Sequence, residues 1–369
     1  MKVLVTGAEG FIGKNLVIRL REQPEYFVTT FVKGDCDSVL QENLFDCDVV
    51  IHLAGENRPV DQNGFYEGNA LLTDKIGKLL SQNSRNIPII LASSTQAGLD
   101  NPYGKSKLSA EESLIKLASN NLQSVVIYRL PGVFGKWCKP NYNSVVATFC
   151  HNISRGLPVH VSDSDVLLTL VYIDDVISSF LSVLQNPIPE GLSRRSVDPE
   201  FNITLGALVE QIQKFSESRT NLVTEHVGVG FTRALYATYL SYLPASMFTY
   251  SIDSYGDERG VFSEILKTKD SGQFSFFTAF PGVTRGDHYH HTKSEKFLIV
   301  KGHARFSFRN IVTDEYCEIE KSSNEFSIVE TIPGWSHNIK NIGDEEMLVL
   351  LWASEIFDRD LPDTIASEI

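Results

Sequence analysis

His288, His290 and Glu295 fall within a short run bounded by Gly282 and Gly302, and His337 follows downstream. Three imidazoles with one carboxylate form a donor set for zinc or another first-row divalent ion. His288 and His290 are separated by one residue, so on a strand both project from the same face, and Glu295 returns on the neighbouring strand. A second constellation lies in the first half. Tyr103 and Lys107 are four apart and share one face of a helix. There an ammonium can stabilise a phenolate and bring a hydroxyl of pKa about 10 into use near neutrality. Close to the start, Thr6-Gly7-Ala8-Glu9-Gly10-Phe11-Ile12-Gly13 is a glycine-rich turn after an apolar run. Such a turn lets backbone N–H groups approach a pyrophosphate at the positive end of a helix.

These groups need two kinds of scaffold. Lys2-Val5, Val28-Val32, Val49-Leu53, Ile87-Ala92 and Val125-Tyr128 are short apolar or β-branched runs with helical patterns between them, which predicts a doubly wound α/β domain around a parallel, Rossmann-like sheet. The pattern changes after about Asn221. Residues 231–243 read as a helix that Pro244 ends, and from Phe248 onward short strand-like runs recur at 274–280, 295–300, 304–308, 326–328 and 347–352. The expected organisation is a dinucleotide-binding domain over 1–245 and an all-β domain over 246–369.

Composition narrows the function classes. At 369 residues, with 42% hydrophobic and 21% charged side chains, the chain can bury two cores of ordinary size. A formal net charge of -13 gives no basic footprint for a phosphate backbone, so a nucleic-acid partner is not expected. The chain enters its first strand at once, and no apolar stretch approaches the length of a bilayer span, so the expected location is the cytoplasm and no membrane partner is expected. Cys36, Cys47, Cys138, Cys150 and Cys317 are scattered without CxxC spacing, which suggests neither a disulfide framework nor a thiolate zinc site.

The G-x-x-G-x-x-G spacing after Thr6 resembles the extended short-chain dehydrogenase/reductase family. So do Asp48-Val49-Val50-Ile51-His52-Leu53-Ala54-Gly55, Asn69 before a helix, Arg129 to Gly135, and Tyr172-Ile173-Asp174-Asp175-Val176, together covering roughly residues 1–220. The resemblance implies a nicotinamide cofactor held by Gly7, Gly10, Phe11, Ile12, Gly13, Leu53, Ala54, Gly55, Tyr103 and Lys107, with His52 as a positioning residue. At the end of the second strand an NAD site wants a carboxylate, whereas this chain offers Val32-Lys33-Gly34. Lys33 suits a 2′-phosphate, so NADPH is expected, with Asp35 near enough to turn in. The family pattern implies Ser94, with Thr95 beside it, as the hydroxyl that meets the substrate oxygen, and Ser94, Tyr103 and Lys107 as the catalytic set. Eight residues separate Ser94 from Tyr103, fewer than the family usually has, which suggests a more open sugar site.

In the second half, Gly282, His288, His290, Glu295 and Gly302 match the spacing of the first motif of the cupins, and Pro333 to Asn341 resembles the second with one residue missing. This implies a double-stranded β-helix with His288, His290, Glu295 and His337 as metal ligands, zinc being the expected ion. Asp257 to Glu264 and Arg285 to His288 also resemble the deoxysugar 3,5-epimerases, in which the histidine at the position of His288 is the proton-abstracting base. The two templates leave His288 either as a fourth ligand or as that base. Joined in this order, the halves resemble the bifunctional reductase–epimerases of bacterial capsular polysaccharide synthesis. That resemblance implies a UDP-linked 4-keto-6-deoxy-N-acetylhexosamine, epimerised at C3 and then reduced at C4 with NADPH on the route to UDP-N-acetyl-L-fucosamine, by a homodimer. The alternative is a monofunctional NADP-dependent sugar reductase whose cupin serves dimerisation or binding.

Overall fold

Val3, Leu4 and Val5 are wholly buried, as an apolar run covered on both faces must be. They lie on β1 (Lys2–Thr6), which is followed in the computed structural model by β2 (Phe27–Phe31), β3 (Val49–His52), β4 (Ile89–Ser94), β5 (Val125–Leu130), β6 (Gly132–Phe134), β7 (Leu167–Tyr172), β8 (Leu192–Arg195) and β9 (Glu200–Thr204). The structure describes residues 1–61, 63–121 and 123–369. A parallel sheet runs in the order β2-β1-β3-β4-β5-β8, and β6-β7-β9 form a small separate sheet. The helices that position the site are α1 (Phe11–Arg21), α2 (Asp37–Asp46), the short α3 (Asn63–Phe65) running through a π turn at Tyr66–Leu71 into α4 (Leu72–Ser81), and α5 (Pro102–Asn121). Strand order reverses between β1 and β3, so the crevice past their carboxyl ends is where an open α/β sheet binds ligands.

Alternate residues of these strands, Leu4, Val50, Ile89, Leu91, Val125 and Ile127, form one core with Leu40 and Leu44 of α2, Ile76 and Leu80 of α4, and Leu114 and Leu117 of α5. Each such side chain contributes about 1.5–3 kcal/mol by leaving water. The catalytic candidates near the start of α5 therefore stand on a helix anchored farther along the same face by Leu114 and Leu117.

The chain separates into two compact units, Met1–Ile212 with Arg233–Leu243 and Gln213–Thr232 with Pro244–Ile369. In the second unit β10 (Val223–Thr224) pairs in parallel with β12 (Gly260–Thr268), and β11 (Tyr255–Asp257) forms a hairpin with the same strand. Then come β13 (Gly272–Ala279), β14 (Thr284–Tyr289), β15 (Glu295–Lys301), β16 (His303–Asn310), β17 (Tyr316–Ser322), β18 (Ile328–Glu330), β19 (Trp335–Asn341), β20 (Met347–Ala353) and β21 (Ile365–Ala366). They make one sheet in the order β10-β12-β13-β20-β15-β18 and another in the order β17-β16-β19-β14-β21. The run 326–328 is strand only from Ile328, because Phe326 adopts φ 45° and turns out into solvent.

Period-two alternation builds the space between the sheets. Ala304, Phe306 and Phe308 of β16 face Phe277, Phe297, Ile299, Met347 and Val349 of the other sheet. Glu295 is in phase with Phe297 and Ile299, and His337 with Ile339, so the same alternation turns both polar groups inward.

Candidate functional site

The glycine turn is shaped by close backbone approach. Gly7 has φ +70°, and a Cβ there would lie 2.6 Å from the Ala54 nitrogen at the end of β3. A Cβ on Gly13 would lie 2.2 Å from the Gly7 oxygen, so the first turn of α1 packs against the loop only without a side chain. Gly10 is the N-cap of α1 and no side chain caps the helix, so its leading N–H groups around Phe11 and Ile12 remain available to an anion. Leu53, Ala54 and Gly55 pass beside this turn. The Ala54 N–H donates to Thr6 Oγ1 at 3.2 Å, and Leu53 N–H to the Thr6 carbonyl at 3.2 Å.

His52 is wholly buried, with Nδ1 2.7 Å from Thr6 Oγ1 and Nε2 2.9 Å from Thr73 Oγ1. Thr73 gives its own proton to the Asn69 carbonyl at 2.6 Å, so it accepts from His52 Nε2–H, and Thr6 donates to Nδ1. Burial, and then the charge of Lys107, pushes the imidazole down to about 3. A ring so held stays neutral and ties β1, β3 and α4 together as a positioning group.

Tyr103 and Lys107 rise from the first turns of α5. Lys107 is buried and donates to the Ala92 carbonyl at 3.0 Å. Burial pulls its ammonium down to about 8, while the charge of Glu111 one turn further on acts upward. Burial raises the Tyr103 phenol and the Ser94 hydroxyl beside it acts in the opposite direction. Ser94 also accepts from the Gln96 N–H at 3.2 Å, capping the short helix Thr95–Gly98 on which Thr95 is exposed. Asn69 links this frame to the β3 loop. Its side chain accepts from Glu56 N–H at 3.1 Å and donates to Ser106 Oγ at 3.0 Å, and Ser106 donates to the Tyr103 carbonyl at 2.7 Å. Lys33 extends into solvent with Nζ 3.8 Å from Glu56 Oε2, while Asp35 turns back to accept the Val32 N–H at 2.8 Å.

In the second unit one donor atom from each of His288, His290, Glu295 and His337 lies within 4.8 Å of the others. His288 stands opposite His337 in the β14–β19 ladder, just after a register shift at Gly286/His288. His290 Nε2 and His337 Nε2 lie 3.4 and 3.3 Å from Glu295 Oε2, yet neither makes a hydrogen bond and both are buried. The tautomers explain this. Each Nδ1 faces a backbone carbonyl, that of Asp363 for His290 and that of Trp335 at 3.4 Å for His337. A carbonyl only accepts, so in each neutral ring Nδ1 carries the proton and Nε2 turns a lone pair toward the carboxylate. Three acceptors facing one another in a buried space fit a cation. Two donors about 3.4 Å apart are spanned by bonds of about 2.1 Å at a tetrahedral angle. His288 is the least buried of the four, and burial followed by the neighbouring His337 pushes it down to about 4.

The structure thus brings the expected groups together in two clusters, Ser94, Tyr103 and Lys107 beside the glycine turn and the four candidate metal ligands between the sheets. Sequence reasoning missed three supporting residues. Glu111, fully buried, accepts Arg129 through both oxygens (Nε at 3.0 and 3.1 Å, Nη2 at 2.7 Å) and Ser93 Oγ at 2.5 Å. Its position four residues after Lys107 was the available signal. Lys293, buried between the ligands in sequence, places Nζ 3.1 Å from Glu295 Oε1. Asp363 lies 73 residues from His290, and no local pattern announces it.

A family model described as the NAD dependent epimerase/dehydratase family matches residues 3–194, and one described as a polysaccharide biosynthesis C-terminal domain matches residues 255–365. A UDP-2-acetamido-2,6-beta-L-arabino-hexul-4-ose reductase of Pseudomonas aeruginosa is 50% identical over 369 residues, which is 100% of this chain and 99% of the relative. The crystal structure of capsular polysaccharide assembling protein CapF from Staphylococcus aureus is 40% identical, with 100% of each chain covered and a TM-score of 0.91. A structure of CapF with the inhibitor 3-isopropenyl-tropolone is 36% identical over 100% of each chain, with a TM-score of 0.86. No helix among the described residues is long and apolar enough to cross a membrane.

Proposed function

The chain belongs to the NAD dependent epimerase/dehydratase family, and from that premise we propose that it is a nucleotide-sugar enzyme with two centres, a reductase in the first unit and a metal-dependent C3 epimerase in the second. The substrate is a UDP-linked 4-keto-6-deoxy-N-acetylhexosamine, the chemical class on which the Pseudomonas relative is named to act.

In the first unit the glycine turn, Leu53 to Gly55, Lys33, Tyr103 and Lys107 would hold NADPH, which when bound would supply the hydride for C4. Ser94 orients the C4 oxygen and Tyr103 gives it a proton, so ketone becomes alcohol. Lys107, one helical turn along α5 from Tyr103, brings the positive charge that favours release of that proton.

We read the second unit as a cupin. His288, His290, Glu295 and His337 would hold a divalent cation, zinc by donor type, which when bound would supply positive charge that acidifies a proton α to the C4 ketone. Transfer of the C3 proton to a base would leave an enolate, and addition of a solvent-derived proton to the opposite face would invert the centre. Reduction at C4 then removes the acidifying carbonyl, so epimerisation comes first. The partial exposure of His288 favours a second reading in which the other three residues hold the ion and His288 takes the C3 proton.

The observation that carries the two-centre reading is the convergence of two buried imidazole Nε2 atoms without hydrogen-bond partners on Glu295. A dimerisation module has no use for such a cluster. The inhibitor accompanying the CapF relative agrees with it, since a tropolone presents adjacent oxygens that chelate cations. The test is deuterium uptake from D2O into C3 of the 4-keto sugar without NADPH. Uptake that persists in Tyr103→Phe and vanishes in His290→Ala supports two centres, and no uptake by the wild type reduces the second unit to a scaffold.

A further inference from the structure

The ligands sit on different sheets. His288 and His290 belong to β14 and the residue after it, Glu295 opens β15 in the facing sheet, and the turn 290–294 crosses between them. That turn is gripped from the far end of the chain. The Asp363 carboxylate accepts the successive N–H groups of His291, Thr292 and Lys293 at 2.9, 2.8 and 2.9 Å, and the Thr292 hydroxyl at 3.0 Å. The same residue's carbonyl accepts from His290 Nδ1. Directly after it, β21 pairs Ile365 with Tyr289 and Ala366 with His288, and the Ser367 N–H donates to the Asp287 carbonyl at 2.8 Å. Upstream, Phe357 places its ring 5.8 Å from the Lys293 ammonium that occupies Glu295 Oε1 and leaves Oε2 to the imidazoles.

We propose that the segment 357–367 is the positioning frame of the metal centre and that Asp363 is its key positioning residue, setting the spacing between the histidine strand and Glu295 and fixing the His290 tautomer that points Nε2 inward. The inference rests on the metal reading above. Its physical basis is that an imidazole ligand is oriented by the partner of its other nitrogen, and that a carboxylate receiving three consecutive amides locks the conformation of a turn. The relation is reciprocal, so an ion bound at the four ligands stabilises the frame as the frame stabilises the ion's site.

Zinc affinity of the full chain, measured by competition with a chromophoric chelator, tests this in the wild type, Asp363→Ala, Asp363→Asn and Asp360→Ala. Asp363→Ala is expected to bind zinc at least about tenfold more weakly, as loss of outer-shell partners does. Asp363→Asn should fall between, and Asp360→Ala should match the wild type, because the bond that Asp360 makes to the Asp358 side chain comes from its backbone N–H, which the substitution keeps. Hydrogen exchange supplies the reciprocal arm, with zinc slowing exchange at the amides of 291–293 and 367 in the wild type. A wild type that takes up no divalent ion overturns the metal reading itself. A wild type that binds zinc while Asp363→Ala, or Asp363→Asn should the alanine variant not fold, binds within twofold of it overturns the role of Asp363.

Discussion

Glu111 lies one helical turn beyond Lys107 on α5 and, wholly buried, grips Arg129 with both carboxylate oxygens. The pair fixes α5 against β5 and puts a negative charge near the Lys107 ammonium, which the proposed reduction uses in its protonated form.

The first expectation is a pH limit. Lys107 loses its proton near 8 in the folded protein, against 10.5 when exposed, so kcat/KM for NADPH oxidation should fall as pH rises through about 8. Glu111→Gln removes the upward influence and should move this limb to lower pH, with a loss of about 1 kcal/mol of stability from the weakened bonds to Arg129, whose guanidinium is exposed enough to be solvated. The linkage has a defined sign. The folded state binds fewer protons than the unfolded state between about 8 and 10.5, so this group's contribution makes the protein more stable as pH rises across that window and less so as it falls. A pH–rate profile and denaturant titrations at two pH values check both.

Tyr103→Phe should lower NADPH oxidation by about 10²–10⁴-fold, the usual worth of a positioned proton donor. Cofactor affinity, read by fluorescence titration, should stay near the wild-type value. Undiminished oxidation would remove Tyr103 from the role given to it.

Cofactor choice can be read at Lys33, whose ammonium is exposed at the end of β2. Lys33→Ala should weaken NADPH binding by about tenfold, the scale of one charge-assisted hydrogen bond, and leave NADH unchanged. Equal losses for both cofactors would disconnect Lys33 from the 2′-phosphate.

Removing the ion should be felt in stability as well as in chemistry. Saturating zinc at about 100 times its Kd stabilises the native state by about 2.7 kcal/mol, so chelation should lower Tm by a few degrees, reversibly. His337→Ala should abolish that zinc-dependent rise. A Tm indifferent to chelator and to His337 would argue that the cluster holds no ion.

Much of this could be read along the chain because the signals are local. The glycine spacing before α1 reflects a helix that must touch its own loop, and the interval between His288 and His290 reflects strand alternation. Tyr103 and Lys107 share a face because α5 is a regular helix. What escaped was long-range. The grip of Asp363 on the turn 291–293 joins residues some seventy positions apart, and Phe326 looked like strand by composition while its positive φ made it a turn. The strand β10 adds itself to the second unit from within 213–232, a pairing of two residues too short to leave any periodicity.

Glu295 shares the inner face of β15 with Phe297 and Ile299. A slip of a single residue in that strand would expel two apolar side chains and a ligand at one stroke. On the metal reading proposed above, ion capture would double as proofreading: a chain able to load a cation there has already threaded this strand in the correct frame.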